Sequence, residues 1–484
     1  MAIDFLTFKS SLSSFMNSSS FVALFFILFI LIASRFTALD KYPPGFYVDE
    51  ALCAAHTLCL NKYGTNCDGE SWPFYSKSWG NGRVGPVYQY LGLIWTKLFG
   101  GSIFSFRAMS SLAGILAATL SGMIVSTILN RSAGFWVFFA ALLSPWGFHS
   151  SRLAWDPALS PMILLLSVLL LLKSRKSKNW FWYCILSGLS VVVTFHTYSP
   201  VGIQAVFLFS LLFLFQKFIQ PLAFKKWFVF GLSTVIIFST SLFFDTSQVR
   251  GRANEVSIFG EDKRNPDAGK SMPARIPQFL DNISKHYSFD YLITNGDKNL
   301  RHTSNSFGIL SWVDIYSLLM GLILIIGGRN QSFNKMQNLT KHEDWRGVFL
   351  LGALGYLSSA VAASLTWDSL PHALRSIGGW PFIALASGAS LFRISHIAPA
   401  KIATKCIAVL FIYYYGTHYT GQFVKDSAMW FDKDVTDTLK QSLAYNNHEY
   451  FNTYMTNRYY HHEAKRYFDL QFFNIEVVDK KRSE

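Results

Sequence analysis

Two adjacent carboxylates, Asp49 and Glu50, follow the first long apolar run of the chain, in the sequence YPPGFYVDEA. Pro43, Pro44 and Gly45 end that run and turn the chain. A carboxylate at a half-dry interface can have a raised pKa, which suits a general base for an incoming hydroxyl. A solvated loop pair is the plainer alternative, and these residues alone do not decide between the two.

Two polar clusters end apolar runs in the middle of the chain. Arg152 and Asp156, in SRLAWDP, are four residues apart and would face the same way on a helical turn, where they could pair. His196 and Tyr198 lie in FHTYSP. The plainer explanations are a helix that ends at Pro157 with a surface ion pair, and a histidine that merely lies at the membrane interface.

Two further clusters stand close to later apolar runs. The sequence NGDKNLRH contains Arg301 and His302 in a turn-rich segment, whose cations could hold an anion. The sequence PHALRSIGGWP contains His372 and Arg375. An arginine at the lipid–water boundary can hold a phosphate group with two hydrogen bonds, or it can simply extend to the aqueous surface.

The composition is that of an integral membrane protein. Of the 484 residues, 51% are hydrophobic and 17% aromatic, and only 15% are charged, which is too apolar for a soluble globular protein of this size. The net charge of +14 comes from Lys and Arg in short clusters between apolar runs. Such clusters are typical of cytoplasmic loops beside anionic lipid, so we predict no nucleic-acid partner.

Apolar runs long enough to cross a hydrocarbon core predict about eleven transmembrane helices. They lie near residues 20–38, 106–129, 133–149, 158–172, 180–196, 201–216, 226–244, 309–327, 347–365, 374–392 and 402–418. A further run, 84–98, contains polar residues, and counting it as a span would place the basic cluster 173–178 outside. We therefore predict that 84–98 is an amphipathic juxtamembrane helix and that the N-terminus is cytoplasmic.

With this orientation, the long polar segments 39–105, 245–308 and 419–484 lie outside the cytoplasm. The sequence thus predicts an all-α polytopic domain over 1–418, in the plasma or inner membrane, followed by a small extracytoplasmic α/β region over 419–484. The first polar segment contains Cys53, Cys59 and Cys67. A disulfide among these three is compatible with an oxidising compartment.

The ionisable residues concentrate at the outer ends of the predicted spans. An ion-coupled transporter would place such groups near the middle of the membrane, so this distribution favours a catalytic or binding site at the outer surface. The cytoplasmic segments are all short, which leaves no room for the α/β domain that a nucleotide-sugar donor normally requires. We therefore expect any sugar donor to arrive in the membrane.

Taken in order, these motifs resemble the C-type membrane glycosyltransferases (GT-C), in the branch of protein O-mannosyltransferases and lipid A aminoarabinose transferases. The resemblance covers roughly residues 20–418 and depends on the ordered set, since no single motif is specific. The set comprises Asp49-Glu50, GPVYQY of the juxtamembrane helix, FSFR at the second span, Arg152 with Asp156, Gly296-Asp297 to Arg301-His302, and Leu374-Arg375 to Pro381.

The resemblance implies a GT-C fold with an outward-facing cavity. It implies inverting transfer of a hexosyl or pentosyl group from a polyprenyl or dolichyl phosphate to a hydroxyl of an extracytoplasmic lipid, glycan or protein. Asp49 would be the base or a metal-proximal carboxylate, Glu50 would support it, and Asp156 would be the second essential acid. A basic residue common before the juxtamembrane helix has only Arg83 as its counterpart here.

The remaining expected site residues bind the donor and the substrate. The donor phosphate is assigned to Arg375, Arg152 and Arg301, and substrate contacts to His196, Tyr198, His302 and His372. Metal dependence stays open: Asp49 and Asp156 are the first candidate ligands, with Glu50 and His196 beside them, but ion pairing with arginine explains the same residues.

Two other functions remain open at the level of sequence. A transporter or flippase of lipid-linked sugars would use the same outer charges for binding without reaction. A partner protein of a cell-envelope assembly complex would use the outer loops and the C-terminal region for contacts. Release of free polyprenyl phosphate separates the first from an enzyme, because a flippase conserves its cargo.

Overall fold

The computed structural model describes residues 19–78, 82–241, 255–305, 307–327, 344–437 and residue 440. Within these ranges the chain is mainly helical. One short antiparallel hairpin pairs Ser76–Lys77 (β1) with Arg83–Val84 (β2). The predicted all-α class is confirmed, whereas most of the predicted α/β tail, from residue 441 onwards, lies outside the described residues.

Each of the eleven apolar runs contains a helix. The helices are α1 (Ser19–Ser34), α2 (Val48–Tyr63), α3 (Pro86–Phe99), α4 (Ile103–Ile128), α5 (Arg131–Leu143), α6 (Pro145–Ser150), α7 (Ser160–Ser174), α8 (Trp180–Thr197), α9 (Ser199–Ile219), α10 (Phe224–Ser241), α11 (Ile276–His286), α12 (Trp312–Gly327), α13 (Asp344–Ser364), α14 (Trp380–Ile394), α15 (Ala398–Thr420) and α16 (Gln422–Ser427). Short 3₁₀ turns lie at Asp156–Leu159, Met272–Arg275 and Ile377–Gly379.

The protein is an integral, multi-pass membrane protein. Among the described residues, six helical stretches are long and apolar enough to cross a membrane: Ile103–Ile128, Asp156–Ser174, Trp180–Thr197, Ser199–Ile219, Trp345–Ser364 and Ile377–Ile394. Helices α5 and α12 are apolar but shorter. The total of eleven spans and their orientation stay predictions.

Helix α14 lies at the centre of the bundle because small residues let its neighbours approach. A Cβ added at Gly388 would lie 2.3 Å from the Val137 backbone of α5. On the other side, a Cβ added at Gly352 of α13 would lie 2.5 Å from the carbonyl oxygen of Phe382. Close contact through glycine is how helices in lipid gain packing energy.

The juxtamembrane segment predicted at 84–98 is helix α3. It begins at Pro86, whose fixed φ and missing N–H suit the first helical position. Tyr88 and Gln89 are fully buried on one face, while the opposite face exposes Ile94 and Leu98. An exposed apolar face is what a helix lying in the membrane interface requires.

Two of the three cysteines in the first polar segment are bonded. Cys59 and Cys67 form a disulfide, and Cys53 is a buried free thiol. The pair closes a short loop after the end of α2. The disulfide provides a test of orientation, since disulfides persist in oxidising compartments.

We expect an impermeant maleimide added to intact cells to label two cysteines only after reduction of the Cys59–Cys67 bond. Cys406 is exposed and should first be replaced by serine, while the buried Cys53 and Cys184 should stay unlabelled in the folded protein. The number of labels is counted by mass shift. Labelling that requires permeabilised cells would contradict the predicted orientation.

The chain after α15 packs against the first polar segment. The Phe46 N–H donates to Thr436 Oγ1 at 2.9 Å, and the Phe431 ring meets the Tyr47 ring edge-on at 5.5 Å. The predicted boundary after residue 418 falls inside α15. The division at 418 stays a prediction, but residues 421–437 contribute walls to the region around Tyr47.

Candidate functional site

The carboxylates Asp49 and Glu50 occupy the first turn of α2, where the helix dipole favours negative charge. Glu50 is fully buried. Its Oε1 accepts from Arg107 Nε at 2.8 Å and its Oε2 from Arg107 Nη2 at 2.7 Å. Oε1 also accepts the Ala154 N–H at 2.8 Å. Glu50 is therefore occupied by a bidentate ion pair, whereas Asp49 is only half-buried.

Arg107 fixes the loop that leads to Asp49. Its terminal nitrogens donate to the carbonyls of Leu39, Pro43 and Gly45 at 2.7–2.8 Å. Gly45 has a φ of +72°, and a Cβ there would lie 2.2 Å from the Phe431 carbonyl oxygen. Only glycine allows this turn and this approach together.

Asp156 begins the 3₁₀ turn that precedes α7. Its Oδ2 accepts the Gly85 N–H at 3.3 Å. A Cβ added at Gly85 would lie 2.5 Å from the carbonyl oxygen of His196, so the start of α3 can reach Asp156 only because residue 85 is glycine. Three elements, α3, α7 and α8, therefore meet at this carboxylate.

The acids after the first and third apolar runs come together around Cys53, one turn into α2. Burial, followed by the negative charges of Asp156, Asp49 and Glu50, raises the pKa of the Cys53 thiol well above its usual value. Charges act on one another in this way only over short distances. The structure thus brings Asp49, Glu50 and Asp156 to one region.

A row of ring contacts connects this region with the second polar loop. The Tyr47 ring meets the Trp155 ring at 6.0 Å, edge-on. Trp155 stacks over His302 at 6.4 Å, and His302 stacks over His372 at 4.6 Å. Two of the expected substrate contacts, His302 and His372, therefore lie side by side, beyond the indole that precedes Asp156.

Arg301 lies beside the start of α2. Its guanidinium is 5.1 Å from the centre of the Tyr47 ring and 5.7 Å from the Trp430 ring, and its Nε donates to the Trp430 carbonyl at 2.8 Å. Burial, with the charges of Asp49 and Glu50, raises the pKa of Tyr47 well above its usual value, and Arg301 opposes that shift. A half-buried cation thus faces the region of the carboxylates.

Arg375 is ion-paired but keeps donors. Its Nη1 donates to Asp368 Oδ1 at 2.6 Å, to the Asp368 carbonyl at 3.0 Å and to Thr366 Oγ1 at 2.8 Å. Within the described residues, all three contacts use the same nitrogen, Nη1. The Nε and Nη2 groups can still bind a second anion.

Arg152 differs from the other two arginines. It is buried, and it donates to the carbonyls of Ser34 at 2.6 Å, Thr37 at 2.8 Å and Tyr42 at 2.8 and 3.1 Å. These carbonyls belong to the connection between α1 and α2. In the described part of the chain its contacts do not include Asp156, so the expected helical pairing is not formed.

The reason is the backbone between Arg152 and Asp156. Trp155 is extended, with φ −137° and ψ 156°, so the two residues do not lie on one helical face. The Trp155 indole N–H donates to the Ser150 carbonyl at 3.1 Å, which fixes the turn.

His196 and Tyr198 lie at the junction of α8 and α9. His196 Nδ1 is hydrogen-bonded to the Tyr75 hydroxyl, and the rings of Phe74, Phe195 and Phe238 surround the imidazole. Its Nε2 is buried and makes no hydrogen bond to the described residues. Tyr198 is half-buried.

Sequence reasoning missed several contributors. Arg107 stands in the FSFR motif, but nothing in the sequence indicated its partner Glu50, 57 residues away. Tyr47 precedes Asp49 and has a fully buried hydroxyl without a partner in the described ranges. Tyr75 carries no local signal, since only the fold brings it to His196.

The expected metal candidates do not form a cluster of three donors. Among the described residues, one group of histidine and carboxylate side chains offers three ligand atoms within 4.8 Å of one another: Asp297, His302 and His372. Asp49 and Asp156 are not members of it.

Comparisons with known proteins identify likenesses in structure only. No family model matches the chain, and no curated protein matches it. It is similar to ArnT from Cupriavidus metallidurans bound to undecaprenyl phosphate, with 12% identity and a TM-score of 0.48 over 93% of this chain and 75% of that one. It is also similar to the Archaeoglobus fulgidus oligosaccharyltransferase in the apo form, with 11% identity and a TM-score of 0.49.

The second likeness covers 84% of this chain but only 56% of the archaeal protein, which is considerably longer.

Proposed function

We propose that the protein is an outward-facing GT-C glycosyltransferase that moves a sugar from a polyprenyl or dolichyl phosphate to the hydroxyl of an extracytoplasmic acceptor. The observation that supports this most is the 2.8 Å hydrogen bond from the Ala154 N–H to Glu50, which joins the Asp49-Glu50 pair to the segment that leads into Asp156, with Arg301 beside Tyr47. Glycosyl transfer requires a base for the acceptor and cations for the leaving phosphate.

Asp49 is the proposed base. It lies in the first turn of α2 and is half-buried, so an acceptor hydroxyl can reach it. The hydroxyl oxygen forms a bond to the anomeric carbon while the bond from that carbon to the phosphate oxygen breaks. The hydroxyl proton passes to Asp49, and the lipid phosphate leaves with the bonding electron pair. Attack opposite the phosphate inverts the anomeric centre.

Arg301 and Arg375 are the proposed phosphate ligands. Each has guanidinium nitrogens beyond those engaged by Trp430 or Asp368. Arginine binds phosphate with charge-assisted hydrogen bonds, and these accelerate the reaction when they strengthen as negative charge develops on the leaving group. Arg152 is proposed instead to hold the connection between α1 and α2, since carbonyls occupy its nitrogens.

Two buried polar atoms support a ligand at this site. The Tyr47 hydroxyl and His196 Nε2 have no partner in the described part of the chain, although both are buried. Buried polar groups are nearly always hydrogen-bonded, so each exception requires an explanation, and a bound ligand is one that suits both atoms. We propose that sugar or acceptor hydroxyls bind them, with Tyr198, two residues after His196, as a further substrate contact.

An apolar cavity of about 260 Å³ supports a lipid-borne donor. It lies between α1, α5, α6 and α15, and is lined by side chains such as Leu31, Leu142 and Ile412. Arg152 and Tyr42 stand at its wall, close to the connection that leads to Asp49. We propose that it holds the first isoprene units of the donor.

Replacing Gly416 with leucine should place an apolar side chain in this cavity. Gly416 lines the cavity, and a Cβ there would meet nothing within 4 Å. We expect KM for a long-chain donor to rise at least about tenfold, since tenfold corresponds to only about two buried methylene groups. KM for a donor with one isoprene unit should change little.

Gly231→Leu is the matched control, because Gly231 of α10 also has open space around it and lies outside the cavity. Equal KM values for Gly416→Leu and Gly231→Leu with the long-chain donor would place the lipid elsewhere.

The experiment that tests the function is a mass balance. Purified protein in lipid vesicles receives a donor labelled in both sugar and lipid, together with envelope acceptors. We expect free polyprenyl phosphate and glycosylated acceptor to appear in equal amounts. Transbilayer movement of intact donor without release of polyprenyl phosphate would identify a flippase and refute the proposal.

A further inference from the structure

We propose that Asp297, His302 and His372 form a binding site for one divalent transition-metal ion, with a preference for Zn²⁺. The site lies across the Trp155 ring from Tyr47 and Asp49, and it is distinct from the carboxylates proposed to act on the acceptor. The inference depends on these three side chains and not on the proposed function.

The three potential ligand atoms already lie close to one another. His302 Nδ1 is 2.7 Å from Asp297 Oδ2, and His372 Nδ1 is 3.9 Å from the same oxygen. All three lie within 4.8 Å of one another. Ligand atoms around a tetrahedral zinc ion, each about 2.0–2.2 Å from the metal, are roughly 3.3 Å apart, which falls between the two measured separations. The His302 and His372 rings are stacked, with an angle of 23° between their planes. His372 Nδ1 accepts the Arg375 N–H at 3.3 Å, and a bound ion would replace this contact.

The chemistry of this set favours zinc over calcium or magnesium. Two imidazoles and one carboxylate are a common zinc ligand set, whereas calcium and magnesium require mainly oxygen ligands. All three residues are buried, at 4–7% exposed. Three protein ligands leave a coordination position open, as in zinc sites that bind a water molecule or a substrate oxygen.

Hydrogen bonds from the surrounding backbone hold the ligands in place. Asp297 Oδ1 accepts the Asn299 N–H at 2.9 Å, and Oδ2 accepts the Ala373 N–H at 2.9 Å. The backbone N–H of His372 donates to His286 Nε2 at 3.2 Å, which fixes the main chain at this ligand. Such outer contacts orient ligands and strengthen metal sites. A surface hydrogen-bonded pair would not need this second layer of contacts.

An ion here would join two segments that are far apart in sequence. It would tie the loop 297–302 to the segment 372–375, and each segment contains one of the arginines proposed above to bind the donor phosphate, Arg301 and Arg375. Metal binding would therefore fix the distance between these two cations. Asp297, His302 and His372 would act as positioning residues for both.

The test measures metal content directly. Full-length protein, purified in detergent with a tag that contains no histidine, is stripped with chelator, incubated with excess Zn²⁺ and desalted. We expect about one zinc per chain by mass spectrometry. With Co²⁺ in place of Zn²⁺ we expect the intense visible absorption of a tetrahedral cobalt site.

His302→Gln and, separately, His372→Gln should lower zinc to under a tenth of an ion per chain and abolish the cobalt absorption. His396→Gln is the matched control, since His396 is exposed and lies just beyond the end of α14. Wild-type protein that holds no zinc after incubation would overturn the proposal, whatever the variants do. So would zinc retained in full by both variants, provided that each elutes as a single species.

This outcome is separable from the proposed function. Zinc binding without any release of polyprenyl phosphate would leave the metal site standing and refute the transferase. Transfer that proceeds at full rate in wild-type protein unable to bind zinc would do the reverse.

Discussion

Replacing Asp49 with asparagine is expected to reduce sugar transfer by about 10²–10⁴-fold, the usual contribution of a positioned general base. Asparagine keeps the size of the side chain but cannot take the proton of the acceptor hydroxyl. The rate of glycosylated-product formation at saturating donor measures the effect. Binding of the donor should change much less, because Asp49 acts on the acceptor.

Asp40→Asn is the matched control, since Asp40 is exposed in the same outer connection, nine residues earlier. We expect this variant to keep its activity, and both proteins should elute normally from a sizing column. Activity of Asp49→Asn above half that of the parent would remove Asp49 from the mechanism.

Replacing Glu50 with glutamine is expected to destabilise the protein by about 3–5 kcal/mol, the usual cost of leaving one member of a buried ion pair alone. Arg107 would then keep a buried charge opposite a neutral amide, and both residues are fully buried. Arg107 also donates to the loop carbonyls of Leu39, Pro43 and Gly45, and it would lose the carboxylate that fixes its guanidinium opposite them. A fall in the thermal midpoint, measured by tryptophan fluorescence in detergent, reports the loss.

Asp281→Asn is the control for removing one carboxylate of an ion pair. Its pair with Lys285 on α11 is exposed on both sides, and we expect no measurable change in the midpoint because exposed pairs contribute little. The same midpoint for Glu50→Gln and the parent would contradict the structural role of the Glu50–Arg107 pair.

The helical bundle could be predicted from the sequence because lipid imposes a simple rule. A run of apolar residues that must satisfy its own backbone in hydrocarbon forms a helix, and each of the eleven runs contains one. The basic cluster 173–178 predicts that the 84–98 segment lies along the membrane, and this segment contains helix α3, which has one exposed apolar face. The length of the apolar runs therefore sufficed to predict the helices, while the orientation inferred from charge stays a prediction.

The details of the site could not be predicted, because they depend on distant partners. Arg152 and Asp156 were expected to pair on a helical turn, but Trp155 is extended between them and Arg152 binds the carbonyls of the α1–α2 connection. Burial selects these partners, since a buried guanidinium must satisfy its donors wherever carbonyls are available. The spacing of residues in the sequence does not indicate which carbonyls Arg152 binds.

The contribution of residues 421–437 was also beyond the sequence. Phe431 and Trp430 reach Tyr47 and Arg301 because the backbone of Gly45 lies against residue 431. Such contact between two backbones leaves no periodic pattern. The boundary predicted after residue 418 from hydropathy therefore separates Phe431 and Trp430 from the residues that they contact, Tyr47 and Arg301.

The most direct test of the account is a structure of the protein with an unreactive analogue, a sugar joined to a polyprenyl phosphonate. We expect the phosphonate oxygens within hydrogen-bonding distance of Arg301 and the anomeric carbon facing Asp49, with Asp156 on the same side of the ligand. A headgroup bound at the opposite ends of the helices, near Lys173 and Lys226, or anywhere out of reach of both Asp49 and Arg301, would contradict the central claim.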